Sequence, residues 1–314
     1  MTGRGTTSPT PKILLGSALS LLAFLALAEP NGNTSGTDAC VEKSGLASYR
    51  QRVAICIGIN RYPTHPQLRY AVSDALEMAN AFEGMGFDRV VLLSDEEATR
   101  DRIMMEIESF RNDAAEDDLL VFYFAGHGWT ARNEQGEPSG YLVPFDCERG
   151  RETEQGLSMI ELSSTINAMP TRHVLLLVDA CYSGYGIHPA EPARGKGRRE
   201  ATASSSSKNV DGRSIQILTA GGAMDQAFES DGHGLFTRNI LECLRGLVPE
   251  AADGVLSGTE LAIRVKHNVE TETGGWQKPR FGCSGDGEIT LVLTPATPPG
   301  SRLAMAQRSE ARFQ

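Results

Sequence analysis

A histidine and a cysteine each stand just past a short apolar run, in Phe124-Ala125-Gly126-His127-Gly128 and in Asp179-Ala180-Cys181-Tyr182-Ser183-Gly184. A thiol near neutral pH is mostly protonated. A neighbouring imidazole can take its proton, hold the resulting ion pair and later protonate a leaving amine. Cys181 is therefore the candidate nucleophile and His127 the candidate base and acid, with the backbone amides of Gly128 and Cys181 as candidate oxyanion donors. Buried cysteines and hydrogen-bonded strand-end histidines are common singly. The pairing of two matched contexts is what points to catalysis.

The runs that precede them, Leu119 to Phe124 and Val174 to Val178, are too short and too evenly apolar for amphipathic helices, so they read as fully buried parallel strands. Ligands of open α/β sheets bind beyond the carboxyl ends of the strands, where these two turns would lie side by side. The rest of the chain alternates in the same sense. A strand over Val53 to Ile59 leads to a helix over Ser73 to Met85 and a strand over Val90 to Leu93. After Thr99, Ile103, Ile107 and Phe110 share one helical face. A long loop follows the histidine string, then a helix over Ser158 to Ala168 and the cysteine strand. Ile215 to Leu218 and Glu288 to Leu293 make further strands, separated by two helices marked by Phe236, Ile240, Leu244 and Leu247 and by Leu261, Val265 and Val269. This βα alternation predicts a mainly parallel sheet covered on both faces.

The two strings, with Val53 to Asn60, Leu68 to Ala75 and Gly234-Leu235-Phe236-Thr237 in order around them, resemble the caspase and metacaspase clan of cysteine peptidases, in particular its bacterial metacaspase-like (orthocaspase-type) branch. The resemblance covers roughly residues 50–293 and keeps the histidine-to-cysteine spacing of the caspase signature. It implies an α/β caspase-like three-layer sandwich and a cysteine endopeptidase working through a thioester. Asp179 stands where caspases have glutamine. By the same resemblance, Asp74 and Asp179 fall at the acidic positions of the metacaspase primary pocket, which implies cleavage after arginine or lysine. A carboxylate pair gives bidentate, charge-assisted recognition of a guanidinium. Asp74 has a second reading as a helix N-terminal carboxylate, since Ser73-Asp74 precedes Leu76 and Ala79.

Two departures limit the transfer. Ala125 replaces the serine of Ser-Gly-His-Gly found in many metacaspases, which leaves the strength of basic selection open. Between Trp129 and Asp146 only Glu134, Glu137 and Asp146 are acidic, whereas a hard cation needs several converging oxygens. Calcium activation is thus disfavoured, and neither a cofactor nor a structural metal is expected.

Arg4 and Lys12 precede an apolar run from Ile13 to Ala28 that ends in Ala26-Leu27-Ala28, the pattern of a signal peptide cleaved after residue 28. Residues 29–49 then form a polar spacer, 50–293 the peptidase domain and 294–314 a disordered tail. The expected destination is periplasmic or secreted, with an uncleaved membrane anchor as the alternative and no stable membrane association after cleavage. Of six cysteines, Cys56 and Cys243 fall on apolar patterns, whereas Cys40, Cys147 and Cys283 lie in loop-like sequence where an oxidising compartment favours pairing. A net charge of −10 argues against nucleic acid as the main partner and is compatible with basic protein or peptide substrates. Analogy favours a monomer.

From Gly186 to Arg213 the chain is poor in apolar residues and rich in Arg194, Lys196, Arg198, Arg199, Lys208 and Arg213. This reads as an exposed loop. It occupies the place where caspase-like enzymes are processed, so self-cleavage and an uncut linker are both open readings. A transpeptidase or ligase with the same nucleophile, and a non-catalytic interaction module, are the alternatives to an endopeptidase.

Overall fold

The computed structural model describes residues 48–132, 138–180, 212–221, 229, 230 and 232–293, all within one compact unit of the chain. The leader, most of the 186–213 loop, the tail and Cys181 itself lie outside the described residues.

In chain order the elements are β1 (Arg52–Gly58), α1 (Ala71–Gly84), β2 (Arg89–Ser94), α2 (Arg100–Asp113), β3 (Leu119–Ala125), β4 (Gly128–Arg132), β5 (Pro138–Leu142), α3 (Glu152–Gln155), β6 (Leu157–Ser158), α4 (Met159–Asn167), β7 (His173–Asp179), β8 (Ser214–Thr219), β9 (Glu229–Ser230), β10 (His233–Gly234), α5 (Leu235–Leu244), β11 (Val255–Ser257), α6 (Gly258–Glu272), β12 (Arg280–Gly285) and β13 (Thr290–Val292). The principal sheet runs β12-β8-β7-β3-β1-β2. Its strands pair in parallel except for β12, which is antiparallel to β8.

Side-chain alternation divides the core into two clusters, one on each face. Ala54, Cys56, Val121 and Tyr123 pack with α1, α5 and α6, while Val53, Ile55, Ile57, Phe122 and Phe124 pack with α2 and α4. Successive strand residues point to opposite faces, so evenly apolar strands are what a doubly covered sheet requires. Phe82, Phe122, Phe124 and Phe236 are fully buried, each contributing roughly 1.5–3 kcal/mol relative to exposure. The helices begin where the sequence supplies caps. Thr99 Oγ1 accepts from the Arg102 amide at 3.3 Å, and Ser257 and Glu260 form a reciprocal capping box.

The expected three-layer α/β architecture is present. Three local expectations are corrected. The loop predicted after the histidine string contains β4 and β5, which pair antiparallel and join β6 in a small separate sheet. The strand near residues 288–293 is shorter, Thr290–Val292, and pairs with β11 apart from the principal sheet, whose edge is the unforeseen β12. The sequence Arg280-Phe-Gly-Cys-Ser-Gly carries little apolar signal because both faces of that edge strand are partly open. Among the loop-assigned cysteines, Cys147 is a buried free thiol and Cys283 an exposed free thiol on β12.

Candidate active site

The order of the sheet reverses at β1: the chain passes from β1 to β2 on one side and to β3 on the other. The crevice outside the carboxyl ends of β1 and β3 is thus a topological switch point. At its rim Gly58, Ala125 and Asp179 lie in register across β1, β3 and β7, and the Gly126 amide donates to the Asp179 carbonyl at 3.2 Å. His127 follows Ala125 by the same offset with which Cys181 follows Asp179, on strands that neighbour each other directly. A side chain at position 126 has no room, because a Cβ there would meet the Tyr62 hydroxyl at 2.6 Å and the Phe124 ring at 2.9 Å.

His127 is held on three sides. Its Nε2 lies 2.8 Å from the Pro66 carbonyl oxygen. A carbonyl only accepts, so Nε2 carries the proton and Nδ1 is the acceptor. The His127 amide donates to the Tyr62 hydroxyl at 3.0 Å, and that hydroxyl donates to the Val143 carbonyl at 3.0 Å. The Tyr62 ring stacks at a tilt, 4.8 Å from the imidazole centroid. Burial pushes the His127 pKa below its ordinary value; the Pro66 carbonyl opposes the shift, and the nearby His65 adds to it.

The loop that carries Pro66 is fastened at several points. Asp95 accepts from the Asn60 and Arg61 amides at 2.8 Å each. Thr64 donates to the Cys147 carbonyl at 3.1 Å and accepts from the Arg149 amide at 3.0 Å. His65 Nε2 meets Glu152 Oε1 at 3.0 Å, with both side chains almost fully buried. Burial alone would raise the Glu152 pKa, but the amides of Gly150 and Glu152 and the His65 ring hold it below the ordinary range.

The two acidic residues meet around Gly234. Asp74 lies in the first turn of α1 but bonds none of its own helix's amides; Oδ1 is 2.6 Å from His233 Nδ1, and Oδ2 accepts from the Gly234 amide at 3.0 Å. It is a buried carboxylate bonded to His233 and Gly234 rather than a cap of its own helix, and Leu76, expected on the apolar face, is exposed. Burial pushes the Asp74 carboxyl up, against the Gly234 and His233 donors. Asp179 Oδ2 accepts from Thr237 Oγ1 at 2.6 Å, and Thr237 Oγ1 is 2.7 Å from the fully buried Tyr123 hydroxyl. A Cβ at Gly234 would lie 2.7 Å from Asp179 Oδ2 and 3.2 Å from Asp74 Oδ2. Both carboxylates thus crowd the position that a Cβ at residue 234 would take.

His127, Gly128, Asp74 and Asp179 are thus brought to one end of the sheet, while Cys181 lies outside the described residues. Gly128 opens β4 opposite Leu142, adjacent to His127. Ala125 is buried on the face that packs against α1 and α5, the Asp74 side of the sheet. Sequence reasoning missed Tyr62, His65, Pro66, Glu152 and His233, and quoted Thr237 without a role. Among the described residues no group of three or more His, Cys, Asp or Glu side chains is arranged to hold a metal ion.

The described residues thus form an α/β sheet with His127 at its switch point and two carboxylates at the same end. The chain belongs to the peptidase C14 caspase-domain family, which matches residues 51–286. It is 28% identical over 170 residues to Metacaspase-1 of the yeast Meyerozyma guilliermondii, covering 50% of this chain and 40% of the relative. A probable protease from a Desulfuromonadales bacterium is 32% identical over 151 residues, 42% of this chain and 18% of that protein. The chain therefore spans less than half the length of these curated relatives. The crystal structure of protein GSU0716 from Geobacter sulfurreducens has the same fold, with a TM-score of 0.53 at 17% identity over 74% of this chain and 93% of that one.

Proposed function

We propose that the chain is an active cysteine endopeptidase that cleaves after arginine or lysine. The observation that carries this reading is the acidic pair itself. Asp74 and Asp179 converge at Gly234, and Asp179 stands two residues before the nucleophile. The proposal takes the side chain that those carboxylates bind to be the one preceding the bond attacked by Cys181. In the proposed reaction His127 Nδ1 takes the Cys181 proton and the thiolate adds to the scissile carbonyl, with the oxyanion received by the Gly128 and Cys181 amides. The imidazolium then protonates the leaving amine as the tetrahedral adduct collapses to a thioester. A water, deprotonated by the same imidazole, hydrolyses the thioester and regenerates the thiol.

Reporter peptides ending in Arg, Lys or Asp test the reading. Cleavage after Arg and Lys that disappears in Cys181→Ala and His127→Ala is expected, and cleavage after Asp alone would overturn the pocket assignment. Self-cleavage within 186–213 belongs to the same proposal, supported by its six basic residues. Wild type should be clipped there and Cys181→Ala intact, while equal clipping of both refutes it. A peptidase domain over 50–293 is proposed to be exported as a monomer behind a leader removed after Ala28. N-terminal sequencing of the exported protein and its elution volume check those two points.

A further inference from the structure

Gly234-Leu235-Phe236-Thr237 has no part in the chemistry above, yet its ends touch both carboxylates. The Gly234 amide and the His233 ring take the two oxygens of Asp74, and Thr237 takes Oδ2 of Asp179. Thr237 has one hydroxyl proton. Because Asp179 is acceptor-only when ionised, that proton goes to Asp179, and Tyr123 must be the donor to Thr237. A directed chain Tyr123 to Thr237 to Asp179 results, backed by a side chain with no exposed surface. On the other side His233 is itself braced, with Nε2 3.5 Å from Glu77 Oε1, and Glu77 is paired in turn with Arg245. Gly234 supplies an amide to one carboxylate and, lacking a Cβ, leaves space against the other.

We propose that His233 and Thr237 are positioning residues for substrate selection: they form a clamp that fixes the two carboxylates in the arrangement a basic side chain reads. The clamp rests on the reading of Asp74 and Asp179 as the primary pocket. Unanchored carboxylates in one crevice repel and turn away from each other. Hydrogen bonds to charged groups hold them in place at the cost of only part of each group's capacity to accept. Selection between a basic and a neutral residue then depends on groups that the proposed reaction itself does not use.

The test compares reporters ending in Arg and in Leu, on the full chain, for wild type, Thr237→Val, Thr237→Ser, His233→Leu and Asp179→Asn. Calorimetric binding of the Arg peptide to Cys181→Ala carrying the same changes runs alongside. Thr237→Val is expected to lower the Arg:Leu ratio of kcat/KM about tenfold, chiefly through KM, as one charge-assisted bond is lost. Thr237→Ser, which keeps the hydroxyl, should retain the wild-type ratio, a rescue by the conservative variant that a folding defect would not produce. His233→Leu should act in the same direction. If wild type and Asp179→Asn show the expected selectivity and its loss but Thr237→Val and His233→Leu keep the wild-type ratio, the clamp is refuted and the pocket stands. If wild type neither prefers nor binds the Arg peptide, the pocket falls and the clamp with it.

Discussion

His127 and Pro66 meet through a 2.8 Å contact between the imidazole Nε2 and a main-chain oxygen. A backbone carbonyl does here what a carboxylate does in a Ser-His-Asp triad, fixing tautomer and ring orientation, but without a formal charge. Among the described residues no anion pairs with this ring, and burial holds its pKa below the ordinary 6.5. The base must be neutral to accept a proton, so kcat/KM rises with pH through this value. The acidic limb for the Arg reporter is expected with its midpoint below 6.5. His65→Gln should move that midpoint upward, because His65 is one of the groups that hold the His127 pKa down. A limb centred above 6.5 in wild type contradicts this account.

Gly234→Ala places a methyl where the carboxylates approach, 2.7 Å from one oxygen and 3.2 Å from the other. Overpacking of this kind costs about 1–3 kcal/mol. Hydrolysis of the Arg reporter should fall at least tenfold, with a modest loss in Tm. Retention of full activity and selectivity in the reporter assay would count against the proposed role of the two carboxylates at Gly234.

Asp95 holds the start of the loop that delivers Pro66, and does so with a left-handed backbone at φ 45°. Burial works against its charge, yet the amides of Arg61 and Asn60 and the Arg61 guanidinium bring the carboxyl below the ordinary 3.8. A folded pKa below the unfolded one gives stability that is present above 3.8 and is lost as pH falls through the folded value. Asp95→Asn keeps the tolerance for this backbone and removes the charge. It should cost about 1–3 kcal/mol at pH 7, and urea titrations should show the gap from wild type closing below pH 3.8.

Glu152→Gln removes the charge opposite His65 while leaving the size of the side chain unchanged. Because His65 immediately precedes Pro66, the expected result is a lower kcat, by about tenfold if a charge-assisted bond is weakened, with little change in KM for the Arg reporter. A shift in KM alone would place His65 in substrate binding instead.

Much of the fold was legible because the buried parallel strands and the helices announce themselves. Leu119 to Phe124 and Val174 to Val178 are runs that only a doubly covered sheet can bury, and Ile103, Ile107 and Phe110 repeat at helical spacing. The small sheet of β4, β5 and β6 and the edge strand β12 were not legible, since half-exposed strands mix polar and apolar residues and gain their identity from their partners. At the site, Asp74, His127 and Asp179 stood in recognisable strings. Pro66 did not, because it contributes a carbonyl, which every residue has. His65 and Glu152 are 87 positions apart, and nothing local in the sequence joins them.

The anchors of the acidic pair also have an order in time. Asp74 waits for a histidine 159 positions further on, and Asp179 for a threonine 58 positions further on. Contacts so remote in sequence are slow to form, and during synthesis they cannot form before the ribosome has released the later partner. A nascent chain that has emerged past Cys181 but not past Leu235 carries the imidazole and thiol strings with their acids still unanchored. On the proposed reading, discrimination among substrates therefore waits for residues 233–237.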